Sequence, residues 1–150
     1  MIIQIAFLSI IVYCVFIAVF FSHLKTHEPV QTRHHTPVSI ICSARNEEEN
    51  LTHFLNALLV QDYDLNLVQI IMVDDCSTDR TLDVLKSYQE KFPDFSCFTS
   101  VGREEAISAK KNALSQAMKK VKYDIVLSSD ADCIPAKGWI KGIVDTYIQI

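Results

Sequence analysis

The chain opens on an unbroken apolar run. From Ile2 to Phe21, IIQIAFLSIIVYCVFIAVFF, no residue is charged and only Gln4 and Ser9 are clearly polar. In a helix rising about 1.5 Å per residue, ~20 such residues cover the ~30 Å hydrocarbon core of a bilayer. A cleaved signal peptide would show a basic start, a shorter apolar stretch and small residues at the cleavage point. Nothing basic precedes this run, and the following FFSHLK offers no such point. The pattern predicts a transmembrane anchor over residues 1–22, a polar linker over 23–36 and a folded domain over 37–150.

After Pro37 the pattern alternates between two kinds of segment. VSIIC (38–42), QIIMV (69–73), SCFTSV (96–101) and YDIVLSS (123–129) are short, β-rich and apolar, too short for buried helices. Between them, apolar residues recur at helical spacing. Leu51, Phe54, Leu55, Leu58 and Leu59 mark one face; Leu82, Val84, Leu85 and Tyr88 a second; Ala113, Leu114, Ala117, Met118 and Val121 a third. Trp139, Ile140, Ile143, Val144 and Tyr147 close the series. Ser77 or Thr78 can cap the second of these helices. Strands without clear polar alternation, separated by helices, predict an α/β domain whose mostly parallel sheet is covered on both faces.

In such sheets ligands bind beyond the carboxyl ends of the strands. Three polar clusters fall at those ends: Arg45-Asn46-Glu47, Asp74-Asp75 and Asp130-Ala131-Asp132. Two carboxylates one residue apart suit a hard divalent cation, Mg²⁺ or Mn²⁺, with substrate phosphates completing the shell. The plainer reading of Asp130 and Asp132 is a capping loop before the helix near Pro135. Asp74 and Asp75 can accept hydrogen bonds from a base or a ribose, or belong to a capped βα turn. Lys110 and Lys111 can reach a phosphate as point charges, or form a solvated helix face.

Composition narrows the field. The formal net charge of -4 speaks against a nucleic-acid binder. With only 3 glycines there is neither a GxGxxG turn nor a P-loop. The 5 cysteines include no CxxC pair, which fits reduced thiols in a cytosolic domain. A zinc site from Cys42, Cys76 and Cys133 would lack the usual close pair. Lys25 and Arg33 follow the apolar run, so the positive-inside tendency places the downstream domain in the cytoplasm as a single-pass protein.

The stretches PVSIICSARNEEENL, IIMVDDCSTDRT and AKKNALSQAMKKVKYDIVLSSDADCIP, in that order, resemble the successive signatures of inverting family 2 glycosyltransferases. The resemblance covers about residues 37–141. It implies a GT-A fold with a Rossmann-like nucleotide-binding half. It implies that Ala44, Arg45 and Glu47 lie against the nucleotide and that Asp74 and Asp75 contact base and ribose. It also implies that Lys111 stands near the nucleotide. Asp130 and Asp132 match the family's DxD motif, with Asp132 favoured as the direct metal ligand. The donor would be a UDP- or GDP-sugar, the cofactor Mn²⁺ or Mg²⁺, and the acceptor a carbohydrate or a lipid-linked group. The family's acceptor-binding half and catalytic base would lie beyond Ile150, so the chain reads as a truncated, donor-binding portion. The competing expectation is a non-catalytic nucleotide- or partner-binding module.

Overall fold

A computed structural model of the protein describes residues 2–23, 36–102 and 108–148. Two compact units emerge, Met1–Val30 and Gln31–Ile150. The first contains helix α1, Ile2–His23. The expected span is met as a helix, but among the described residues no helix is long and apolar enough to cross a membrane. The expected linker falls almost wholly on residues 24–35, outside the described residues.

The second unit follows the predicted order: β1 (Val38–Ala44), α2 (Asn50–Leu59), β2 (Val68–Asp74), α3 (Thr81–Ser87), β3 (Phe95–Thr99), α4 (Ala109–Met118), β4 (Ile125–Asp130) and α5 (Trp139–Ile148). All strand pairings are parallel, in the order β3-β2-β1-β4. Among the described residues no strand pairs with the outer side of β4.

Strand residues alternate between two apolar layers. Ile40, Cys42, Ile70 and Met72 pack with Leu51, Phe54, Leu55 and Leu58 of α2, Leu85 of α3, and Ile140 and Val144 of α5. Ile41, Ile71 and Val73 pack on the other face against Ala113 and Ala117 of α4. Small alanines let α4 lie close to the sheet. This burial on both faces explains why β1 and β2 read as continuous apolar runs. The apolar faces of α4 and α5 are narrower than the spacing predicts: Met118, Ile143 and Tyr147 are exposed.

Two buried glutamines tie the sheet to its connections. Ser39 Oγ and Lys122 N both donate to Gln69 Oε1, at 2.7 and 2.9 Å, and Gln69 Nε2 donates to Lys120 O at 3.0 Å. Gln61 Nε2 donates to Ala136 O at 2.8 Å, and Gln61 Oε1 accepts from Ile140 N at 3.2 Å. The second set pins the loop that follows β4, and the start of α5, to the turn after α2. No buried side-chain N or O among the described residues lacks a partner. Replacing Gln69 by Leu strands the Ser39 hydroxyl and the Lys122 amide. Gln69→Leu is expected to lower stability by about 1–3 kcal/mol, read as a shift in the urea midpoint at unchanged m-value.

Candidate functional site

Strand register sets the site. Ala44 pairs with Asp74 and Ser43 with Asp130, so β1, β2 and β4 release their chains at one level. A cleft of about 330 Å³ opens there, with Arg45, Glu47, Asp75, Lys110, Asp130 and Asp132 on its walls. A second hollow of about 250 Å³ shares Arg45, Asp75 and Ala109 with it and extends to Cys76, Ser100, Gly102 and Asn112. The first chamber is charged. The second is lined mainly by neutral groups.

Most of the predicted residues meet in this place. Ala44 is buried, and its carbonyl accepts from Asp75 N at 2.8 Å, fastening the second loop to the first strand. Arg45 is exposed and borders both chambers. Glu47 lines the first chamber while its Oε2 accepts from Asn50 Nδ2 at 2.9 Å. Asp132 is exposed on the cleft wall.

Asp74 and Asp75 part company. Asp74 is only 3% exposed and lies outside both chambers. One of its oxygens accepts from Ser77 N at 3.2 Å and the other from Thr99 Oγ1 at 3.1 Å, so it braces the turn. Asp75, 8% exposed, borders both chambers. Of the acidic pair, the structure brings Asp75 to the cleft and leaves Asp74 behind it.

The two neighbouring lysines are also placed differently. Lys111 is exposed and lines neither chamber. Lys110 lines the first, with Nζ 2.6 Å from Asp130 Oδ1. That hydrogen bond holds the Lys110 ammonium above its ordinary range. A signal for this was present in the sequence: Lys110 precedes Ala113 by three and Ala117 by seven, placing it on the sheet-facing stripe of α4.

Sequence reasoning also missed a clamp between the first two loops. Asn46 and Cys76 both adopt left-handed backbone, φ 55° and 54°. Asn46 N donates to Ser77 Oγ at 3.0 Å, and Asn46 Oδ1 accepts from Thr78 N at 2.8 Å. Next to it, Glu47 N donates to Thr81 Oγ1 at 2.9 Å, and Thr81 Oγ1 donates to Asp79 Oδ1 at 2.6 Å. Glu48 Oε2 accepts from Arg80 N at 2.9 Å. The Thr81 hydroxyl holds the Asp79 carboxyl below its ordinary value. Because Ser77 and Thr78 serve Asn46, they do not cap α3, which starts later than expected, at Thr81, with Asp79 Oδ1 accepting from Thr81 N at 2.9 Å.

The donor set for a metal is narrow. Asp130 and Asp132 share the cleft wall, and no group of three or more His, Cys, Asp or Glu gathers among the described residues. Two carboxylates suit Mg²⁺ or Mn²⁺ when phosphates supply the remaining oxygens. They do not make a closed zinc site. Burial, with Asp130 next, pushes the Cys42 thiol up to about 12. Cys76 and Cys133 are exposed and unbridged.

A parallel sheet with helices on both faces and a charged cleft at its carboxyl edge is a GT-A-like arrangement, and solved structures of that kind match it. Residues 1–349 of S. aureus TarS in complex with UDP give a TM-score of 0.65 at 26% identity, covering 76% of this chain and 32% of that one. The mannosyltransferase PcManGT of Pyrobaculum calidifontis, in complex with GDP-Man and Mn²⁺, gives 0.68 at 25% identity, covering 81% of this chain and 35% of that one. The sequence names the family. The model for glycosyl transferase family 2 matches residues 39–149, and the chain belongs to that family. It is 30% identical over 115 residues to a dolichyl N-acetyl-alpha-D-glucosaminyl phosphate 3-beta-D-2,3-diacetamido-2,3-dideoxy-beta-D-glucuronosyltransferase of Methanococcus voltae, a match over 75% of this chain. The chain spans about a third of the length of these relatives: 34% of the Methanococcus protein, 32% of the TarS chain and 35% of the PcManGT chain.

The clamp yields a direct test. Thr81→Val keeps the shape of a fully buried side chain but removes the group that serves both Glu47 N and Asp79. It is expected to cost about 1–3 kcal/mol, because a backbone donor loses its partner. Thr81→Ser is expected to recover most of that loss in the same chemical denaturation experiment.

Proposed function

We propose that the chain is the donor-binding portion of an inverting, metal-dependent glycosyltransferase that takes a UDP- or GDP-sugar. The observation that carries this reading is the meeting of Arg45, Asp75, Asp130 and Asp132 from three separate strand ends, and of Lys110 from the start of α4, around one cleft. The nucleotide ligands of TarS and PcManGT support it, as does the family.

The chemistry follows from where charge develops. As the sugar leaves, negative charge grows on the departing diphosphate. Donors already aimed at that region stabilise it without further rearrangement. Lys110 and Arg45, both on the wall of the first chamber, supply positive charge there. Asp130 and Asp132 would hold Mg²⁺ or Mn²⁺, which when bound supplies Lewis-acid stabilisation of the leaving diphosphate. Asp75, on the border of the neutral chamber, accepts from the nucleoside. An inverting transfer also needs a base for the acceptor hydroxyl. No residue of this cleft is assigned that task, and the acceptor, a carbohydrate or a lipid-linked group, is assigned to parts outside this cleft.

The same proposal places the chain at a membrane through α1, as a single-pass protein with its transferase domain in the cytoplasm. Support comes from the helix itself: Phe7, Ile10, Ile11, Phe16 and Phe20 are all exposed on it, and no charge occurs between Ile2 and Ser22. A soluble helix would not leave that much apolar surface in water.

Two outcomes are expected. In calorimetric titration, UDP binds in the presence of Mn²⁺, and Asp132→Asn weakens that binding about 10- to 100-fold with little change in melting temperature. Unchanged affinity would remove the metal assignment. On fractionation, the full chain stays with membranes after an alkaline carbonate wash, and deleting residues 2–23 releases it to the supernatant. Release of the undeleted chain would refute the anchor.

A further inference from the structure

Asp75 stands where the charged and neutral chambers meet, and one donor controls its carboxylate. Ser100 Oγ donates to Asp75 Oδ1 at 2.9 Å, and both residues are buried. Ser100 is itself fixed, its amide donating to Asp74 O at 2.8 Å just beyond β3. Asp75 is fixed in the same way, its amide donating to Ala44 O at 2.8 Å. With both backbones held, the remaining freedom of the carboxylate is rotation about its own side chain. A terminal sp² torsion of this kind is broad and two-fold when nothing restrains it. A single buried hydroxyl at hydrogen-bond distance restrains it.

The neighbouring aspartate shows the contrast. Asp74 turns its two oxygens to Ser77 N and Thr99 Oγ1 and lies buried outside both chambers, away from a ligand. Asp75 commits one oxygen to Ser100 and borders the cleft with the rest of its acceptor capacity. An ionised carboxylate is an acceptor only, so its second oxygen matches an N–H or O–H of a neutral ligand and repels a bare phosphate. We infer that Ser100 is a positioning residue: it turns the Asp75 carboxylate so that the free oxygen accepts from the donor's nucleoside, and so contributes to selection of a nucleoside diphosphate over pyrophosphate.

This inference rests on the donor-binding reading above, and the experiment separates the two. UDP and inorganic pyrophosphate are titrated, with Mn²⁺ present, into the full chain and its Ser100→Ala and Ser100→Thr variants. Ser100→Ala is expected to lose about tenfold in UDP affinity, the scale of one hydrogen bond to a charged group, while pyrophosphate affinity stays the same. Ser100→Thr keeps the hydroxyl and is expected to restore UDP binding. A Ser100→Ala chain that binds UDP as tightly as the unaltered one overturns the inference and leaves the donor site standing. So does a parallel loss of UDP and pyrophosphate, which marks a merely structural residue, and so does a Ser100→Thr chain that is folded by its melting curve but no better than Ser100→Ala. Failure of the unaltered chain to bind UDP removes the donor site itself.

Discussion

The backbone ladder that joins β1 to β2 on one side and to β4 on the other puts Ala44 level with Asp74 and Ser43 level with Asp130. Every later feature depends on that alignment. A slip of one residue in either pairing would turn an apolar face toward the wrong layer of helices. Ile40, Ile70 and Met72 on one face, and Ile71 and Val73 on the other, are almost wholly buried, so such a slip carries a large cost. The polar residues at the strand ends are thus positioned by apolar packing beneath them. Chemistry at the edge is set by a core that takes no part in it.

The edge solves a problem of its own. Asp75, Asp130 and Asp132 crowd one cleft and repel one another. Lys110 offsets this by sitting against Asp130, though that pair is solvent-exposed and so worth little in stability. Its importance is local: the cleft carries a cationic side chain of its own before any ligand arrives. The clamp between residues 46–48 and 77–81 then keeps the loops from drifting apart. Its hydrogen bonds at Asn46 and Glu47 N run to Ser77, Thr78 and Thr81 between uncharged groups, which salt does not screen as it does ion pairs.

Strands and their order were legible because β1 and β2 are buried on both faces and show it as unbroken apolar runs. The three carboxylate clusters were legible because they interrupt those runs at the ends. What was hidden depends on distance in the chain. Ser77 and Thr78 look like caps of α3 until Asn46, more than thirty residues away, is seen to use them. Asp74 and Asp75 are indistinguishable as letters; only Thr99 and Ser100 on the next strand's end assign them different work. Lys110 and Lys111 differ by one step on a helix, about 100° of rotation, and the sheet-facing alanines decide between them. The apolar stripe of α5 predicted burial at Ile143 and Tyr147, yet the core takes Ile140 and Val144, with Trp139 packed against it, and leaves those two exposed.

The outer margin of β4 has a consequence for handling the molecule. Over Ile125–Asp130 its outward amides and carbonyls have no strand beside them among the described residues, and Asp130 is its sole charge. Strand margins of this kind are templates for lateral zipping into oligomers unless something guards them. The net charge of -4 is spread over the chain and does not guard this row. Either outer margin, β3 or β4, is therefore a place where a further strand can add to this sheet, and at β4 that place lies beside the very carboxylates that a bound nucleotide would cover.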